Sequence, residues 1–316
     1  MANVYSCVQS TSFRVKSDVN RHCLLMVFPH PMSIRGHSRT VGCSVCYRLS
    51  LCFRTLSVEC GTDQYTIRFF NTYRKKFDYV TIDNHLPCHR NGNPIFTFPT
   101  HDTRELWPCL VEKAFAKWVG SYSNVAFGPP FVAVSALTGR PSRLFTLDSR
   151  HLLATEWHAS GHNVYDPAIY FRKSLLCTMV PQGTMSKSRF WNLVSRSYQN
   201  RSIVTITSKG TDQLSTGPGT CATGIVGGHC YTLLVAVEVG QFRLCQIRNP
   251  WGMFEFDGTW SDSGPMWELH ADVRDKLQPV LDKTDGTFWM DFDTLFEIFG
   301  HMSITRMSLP VVGTTQ

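Results

Sequence analysis

Charge is scarce in this chain of 316 residues: Asp, Glu, Lys and Arg together make up 17%, against roughly a quarter in an ordinary globular domain. With 43% hydrophobic residues, that excludes a disordered or highly charged regulatory chain. It leaves enough apolar material for a sizeable core in one large domain or two modest ones. No apolar run approaches the roughly 18 residues that a membrane span needs. The N-terminus also lacks an apolar stretch followed by a small-residue cleavage site, so neither a span nor a secretory leader is expected. Dense basic stretches are missing too. The formal charge is +7, yet the longest basic run is Arg74-Lys75-Lys76, which reads as a solvated hairpin tip and not as a nucleic-acid surface. Acidic residues are nearly absent from residues 1–60, which hold only Asp18 and Glu59 but six of the twelve cysteines. Twelve cysteines without a leader predict reduced thiols and an intracellular, cytoplasmic protein. Cys43 and Cys46 form a Cys-x-x-Cys, but the second pair that a zinc ribbon needs is missing. There is no internal repeat.

From Gln64 onward the pattern becomes regular. Tyr65–Phe70 and Phe77–Ile82 are β-rich runs flanking a polar turn, the signature of a hairpin. Residues Glu105 to Val119 carry apolar side chains at helical spacing, with Asp102 or Thr103 as cap and Gly120 as stop. A second helix is predicted from about Lys187 to Tyr198, capped by Ser186. Strands follow at Ser202–Thr207, Cys230–Val239 and Phe242–Arg248, with Gly240 turning the last pair. Asp291–Phe299 reads as a short closing helix and Met302–Leu309 as a final strand. Helices followed by antiparallel strands predict an α+β fold. Residues 208–220 are a flexible loop by composition.

Two segments carry chemistry. Gly227-Gly228-His229-Cys230-Tyr231 opens one strand and Arg248-Asn249-Pro250-Trp251-Gly252 closes the next. The hairpin between them sets His229 and Asn249 at adjacent strand ends. An Asn side-chain oxygen there accepts from one ring N–H and fixes the tautomer, and the other ring nitrogen faces a nucleophile. Trp251 can cover the pair and keep water off it. A His after a Gly pair can equally be a plain strand-start residue.

Together with Trp260-Ser-Asp262-Ser-Gly-Pro-Met-Trp267 and Asp285-Gly-Thr-Phe-Trp-Met-Asp-Phe292, these segments resemble the second lobe of the calpain protease core. Upstream, Ile82-Asp-Asn-His-Leu-Pro87 and the helix from Glu105 to Tyr122 resemble the end of the first lobe, so the likeness covers about residues 64–308. The resemblance implies a papain-like, two-lobed cysteine protease core, with an incomplete helical first lobe and an antiparallel, β-barrel-like second lobe. Residues 1–60 would be a degenerate or wrongly assigned remnant of the first lobe, 61–122 its remainder, and 123–312 the second lobe. The roughly 100 residues between Tyr122 and His229 exceed the family's length, which implies an insertion around 135–185. The implied chemistry is acyl transfer by a thiolate paired with an imidazolium.

The family's Gln-Gly-x-x-Gly-Asp-Cys-Trp nucleophile motif does not occur. Cys23 is its nearest match: it lies 60 residues before Asp83, the family's interval, and precedes the apolar Leu24-Leu25-Met26. Arg21-His22 stands in place of Gly-Asp, and Pro29 ends any helix early. The resemblance also implies calcium, with Glu255, Asp262, Asp285 and the Lys283 carbonyl as ligands in the second lobe and Glu105 in the first. Carboxylates converging from loops suit a hard cation, although Asp285 before Gly286 also reads as a turn residue and Glu255 and Asp262 as solvated loop carboxylates. The aromatic residues Trp260, Trp267, Phe288, Trp289 and Phe292 read as core. No EF-hand loop pattern occurs. Two functions stay open at this level: a calcium-dependent cysteine endopeptidase acting on protein or peptide substrates, and a catalytically silent calpain-like scaffold or regulator. Oligomeric state is not legible.

Overall fold

The computed structural model describes residues 56–58, 64–92, 94–95, 107–125, 129–160, 178–210, 223–252 and 254–307. It opens on a three-stranded antiparallel sheet in the order β1 (Leu56–Val58), β2 (Gln64–Asn71), β3 (Lys76–Asp83). Asn71 makes the β2–β3 turn: its side-chain oxygen accepts from the backbone N–H groups of Tyr73 and Arg74, at 3.1 and 3.0 Å, the local bond for which Asn is favoured in turns. Arg74-Lys75-Lys76 sits exposed on that tip. Helix α1 (Trp107–Val119) lies across the sheet. It stacks Trp118 on Phe69 at 5.1 Å and sets Phe115 edge-on to Phe69 at 5.3 Å. Gly120 ends it at φ +112°, with its N–H bonded to the Ala116 carbonyl. The description of this helix starts at Trp107; Glu105, Asp102 and Thr103 lie outside the described residues.

After a 3-10 turn (Tyr122–Val125), helix α2 (Pro130–Thr138) is buried along nearly its whole length. It touches β2 and also two strands of the second sheet, which is why it carries no polar face. Val132, Ala133, Ala136 and Leu137 join the core formed by Ile67, Phe69, Val80 and Phe115, so this first core reaches well past Tyr122.

The remaining strands are β4 (Ser142–Asp148), β5 (Leu153–Ser160), β6 (Thr178–Ser186), β7 (Ile203–Ser208), β8 (Cys230–Val239), β9 (Phe242–Arg248), β10 (Thr287–Asp291) and β11 (Phe299–Thr305). They form one eight-stranded sheet in the order β10-β9-β8-β7-β11-β4-β5-β6. Every registered pair in it is antiparallel. Helices α3 (Lys187–Gln199) and α6 (Phe292–Ile298) bring Phe190, Trp191, Phe292 and Phe296 onto the sheet. A separate cluster of Trp260, Trp267 and Trp289 packs around Val239 and Leu244, with the short helices α4 (Met266–Leu269) and α5 (Ala271–Leu277). Strands β8 and β9 are therefore almost continuously buried, as strands sandwiched between two apolar layers must be.

Two details differ from the sequence reading. The last strand starts at Phe299, where it pairs with Ser208 across a bulge, and ends at Thr305. Residues 142–186, to which no element was assigned, supply three strands to the large sheet. The expected core aromatics Trp260, Trp267, Phe288, Trp289 and Phe292 are all buried.

Candidate active site

The site is built where three strands end together. The β8–β9 hairpin turns through two residues, with Val239 opposite Phe242. Gly240 leads the turn at φ +59°, the conformation a primed hairpin turn requires. At the far end of this ribbon Thr232 stands opposite Arg248, and Arg248 also pairs with Thr287 of β10. The residues just beyond, His229 on one strand and Asn249 on the other, are thereby carried to one spot.

His229 Nε2 lies 3.0 Å from Asn249 Oδ1. The amide orientation follows from its other bonds: Asn249 Nδ2 donates to the Phe254 carbonyl at 3.1 Å, and Oδ1 accepts the Trp251 backbone N–H at 3.1 Å. An acceptor at Nε2 places the neutral ring's proton there and leaves Nδ1 as its basic nitrogen. The Trp251 ring lies 4.1 Å from the imidazole, and Tyr231 meets it edge-on at 5.0 Å. Asn249 is fully buried and His229 nearly so, which keeps water from competing for their hydrogen bond.

The backbone under His229 is held as firmly. Its N–H donates to Ser208 Oγ at 3.0 Å, and its carbonyl accepts the Ser208 N–H at 3.0 Å. The Ser208 hydroxyl donates to the Val226 carbonyl at 2.6 Å, and Tyr231 Oη accepts the Val226 N–H at 2.9 Å. Ser208 and Phe254 thus complete the site and were not singled out in the sequence, while Tyr231 and Gly286, whose carbonyl accepts the Asn249 N–H at 2.7 Å, stood in the quoted segments without a role assigned to them. Ser208 and Gly286 carry no local signal, because only the strand register brings them to His229 and Asn249.

A second cluster lies alongside. Glu255 Oε1 accepts the Gly286 N–H at 2.6 Å, and Asp285 Oδ1 accepts the Thr287 N–H at 2.6 Å. Glu255 Oε2 and both oxygens of Asp262 are buried without a hydrogen-bond partner. Burial first, and then the charges of Asp262 and Asp285, push the Glu255 carboxyl up to about 8. Burial and the Asp285 charge push Asp262 up to about 7; burial also raises Asp285. Buried, mutually repelling carboxylates of this kind suit a hard cation. Among the described residues, however, no three His, Cys, Asp or Glu side chains are placed to hold one metal ion. The Lys283 side chain is exposed.

Cys23 and Glu105 lie outside the described residues, as do Cys43 and Cys46. The described cysteines Cys88, Cys109, Cys230 and Cys245 are in no disulfide. Cys230 follows His229, but burial pushes its thiol up to about 12; Cys245 is raised further by burial and Asp291. Neither is a thiolate at neutral pH.

Comparison with known proteins places this geometry. The sequence profile of the family described as "Calpain family cysteine protease" matches residues 57–306. The chain belongs to the calpain family. It is 30% identical over 244 residues to the calpain-type cysteine protease DEK1 of Arabidopsis thaliana, covering 77% of this chain and 10% of that protein. It is 27% identical over 244 residues to calpain-14 of Homo sapiens, covering 74% of this chain and 29% of that protein. With calpain-8 of Mus musculus the identity is 29% over 235 residues, covering 72% of this chain and 28% of that protein. The chain thus spans about a tenth of the plant calpain's length and under a third of the mammalian calpains'. His229, Asn249, Trp251 and the acidic cluster all fall within the matched residues; Cys23 falls outside them. Among the described residues no helix is long and apolar enough to cross a membrane.

Proposed function

We propose that this chain is a calcium-dependent cysteine endopeptidase that hydrolyses protein or peptide substrates with a triad of Cys23, His229 and Asn249. The fold in this reading is papain-like, with residues 61–122 in the first lobe and 123–312 in the second, barrel-like lobe. The inserted length falls within 135–185. The observation that carries the proposal is the buried 3.0 Å contact between His229 Nε2 and Asn249 Oδ1 beneath Trp251.

The chemistry follows from the ring's tautomer. With Nε2–H held by Asn249, Nδ1 takes the proton of the Cys23 thiol, and the thiolate attacks the scissile carbonyl. The imidazolium returns that proton to the leaving amine as the C–N bond breaks, giving a thioester. Water, deprotonated by the same nitrogen, then releases the acid and the thiol. A thiol-directed electrophilic peptide should label the wild type, while Cys23→Ser and His229→Ala should each abolish labelling. Equal labelling of all three proteins counts against the triad and favours a calpain-like protein that does not cleave.

For calcium, the ligands in this reading are Glu255, Asp262, Asp285 and the Lys283 carbonyl, with Glu105 in the first lobe. Bound there, the cation would supply positive charge to buried carboxylates and fix the loops that bear them. The test exploits a reversal of sign. In chelator at pH 8, Asp262→Asn removes a buried charge that Asp285 repels and should stabilise the protein by about 1 kcal/mol. In millimolar calcium the same variant should be less stable than wild type. Urea melts under both conditions check this; a variant effect independent of calcium removes Asp262 from the ligand set.

A further inference from the structure

The backbone at Gly286 joins the acidic cluster to the His229–Asn249 pair. The peptide unit between Gly286 and Thr287 is held at both ends: its carbonyl accepts the Asn249 N–H at 2.7 Å, and its N–H donates to Asp285 Oδ1 at 2.6 Å. The preceding unit is held by Glu255, whose Oε1 accepts the Gly286 N–H at 2.6 Å. The same residue is pressed against the turn that carries Asn249 and Trp251. A Cβ on Gly286 would stand 2.5 Å from Gly252 Cα and 3.0 Å from the Asn249 carbonyl oxygen. No side chain therefore fits at the buried Gly286 without moving the Asn249 turn.

From this arrangement we propose that Glu255 and Asp285 are positioning residues for Asn249, acting through the backbone of Gly286. They do not touch the imidazole or the reacting atoms. They fix the strap on which the Asn249 backbone rests, and Asn249 in turn fixes the Nε2–H tautomer of His229. The inference rests on the proposed role of that pair. It adds a direct mechanical route, two hydrogen bonds and one residue long, between the carboxylates and the base. Glu255 Oε2, buried without a hydrogen-bond partner, is where a bound cation would be felt along this route.

The test reads the imidazole itself. In the full chain labelled with 15N-histidine, the His229 Nε2–H resonance is assigned by its loss in His229→Gln. Glu255→Ala should abolish its protection from solvent exchange and speed backbone exchange at Asn249 about tenfold, the effect of losing one hydrogen bond. Glu255→Gln keeps an oxygen for the Gly286 N–H and should retain the wild-type resonance. Asp282→Asn removes a charge from the same cluster without touching the strap, and should also retain it. Should Glu255→Ala fail to fold, Asp285→Ala loosens the strap from its other side and should show the same loss. A wild-type resonance in both alanine variants overturns the proposal. So does a loss in Asp282→Asn equal to that in Glu255→Ala, because charge and not the strap would then be responsible. No cleavage is read, so a failure of the peptidase reading would leave these results unchanged.

Discussion

Asn249→Ala is expected to lower the rate of thiol-probe labelling, and kcat for any cleaved peptide, by roughly 10²–10⁴-fold, the range associated with a misplaced general base. The size follows from what the amide holds. Its oxygen accepts from both His229 Nε2–H and the Trp251 backbone, and its nitrogen satisfies the Phe254 carbonyl. Alanine leaves all three groups unpaired in a buried setting, which also costs stability, about 1–3 kcal/mol for each group not rescued by water. The ring then loses its preference for the Nε2–H tautomer, and the population with a basic Nδ1 falls. Asn249→Asp separates the two effects: its oxygens still accept from the ring and from Trp251, so it should keep more activity than alanine while losing the bond to Phe254. The loss should fall on kcat with KM little changed, since nothing at Asn249 reaches substrate. Labelling by Asn249→Ala within threefold of wild type would show that the amide does not orient the base.

Much of that site was legible because its parts are local. Gly240 between two apolar runs announces a hairpin, and a hairpin brings its two open ends together even though the register shifts by one residue between Leu233 and Val235. His229 and Asn249 could therefore be paired from sequence alone. Ser186 as the cap of α3 was readable for the same reason, its hydroxyl accepting the Arg189 N–H. What stayed hidden depends on distant pairing. Ser208 reaches His229 across 21 residues, and Gly286 reaches Asn249 only because β10 lies beside β9. Strand β6, Thr-Met-Val-Pro-Gln-Gly-Thr-Met-Ser, has a proline and a glycine that argue against a strand. It forms at the edge of the sheet, where an unpaired proline is tolerated and the bulge opposite Glu156 and Trp157 absorbs the irregularity. Helix α2 shows no helical stripe because it is apolar all round, a pattern that only its position between two sheets explains.

The largest loss of stability from a single methyl group is expected at Gly224. The residue has φ +78°, a region that costs an alanine about 1–2 kcal/mol. Space is the heavier constraint: a Cβ there would lie 2.0 Å from the Glu255 carbonyl oxygen, a backbone atom that cannot swing aside. The neighbouring contact is fixed as well, since the Asp257 N–H donates to the Thr223 carbonyl at 2.9 Å. Forcing the two loop segments of this contact apart adds about 1–3 kcal/mol, so Gly224→Ala should lose about 3 kcal/mol in urea unfolding. Gly240 supplies the control. It has the same sign of φ, +59°, but nothing stands within 4 Å of its Cβ position, so Gly240→Ala should show the backbone term alone, about 1–2 kcal/mol. The difference between the two variants then measures how tightly the loop leading to His229 is pressed against the segment carrying Glu255. Equal losses would mean that the two segments yield freely, and His229 and the acidic cluster would then move independently of one another.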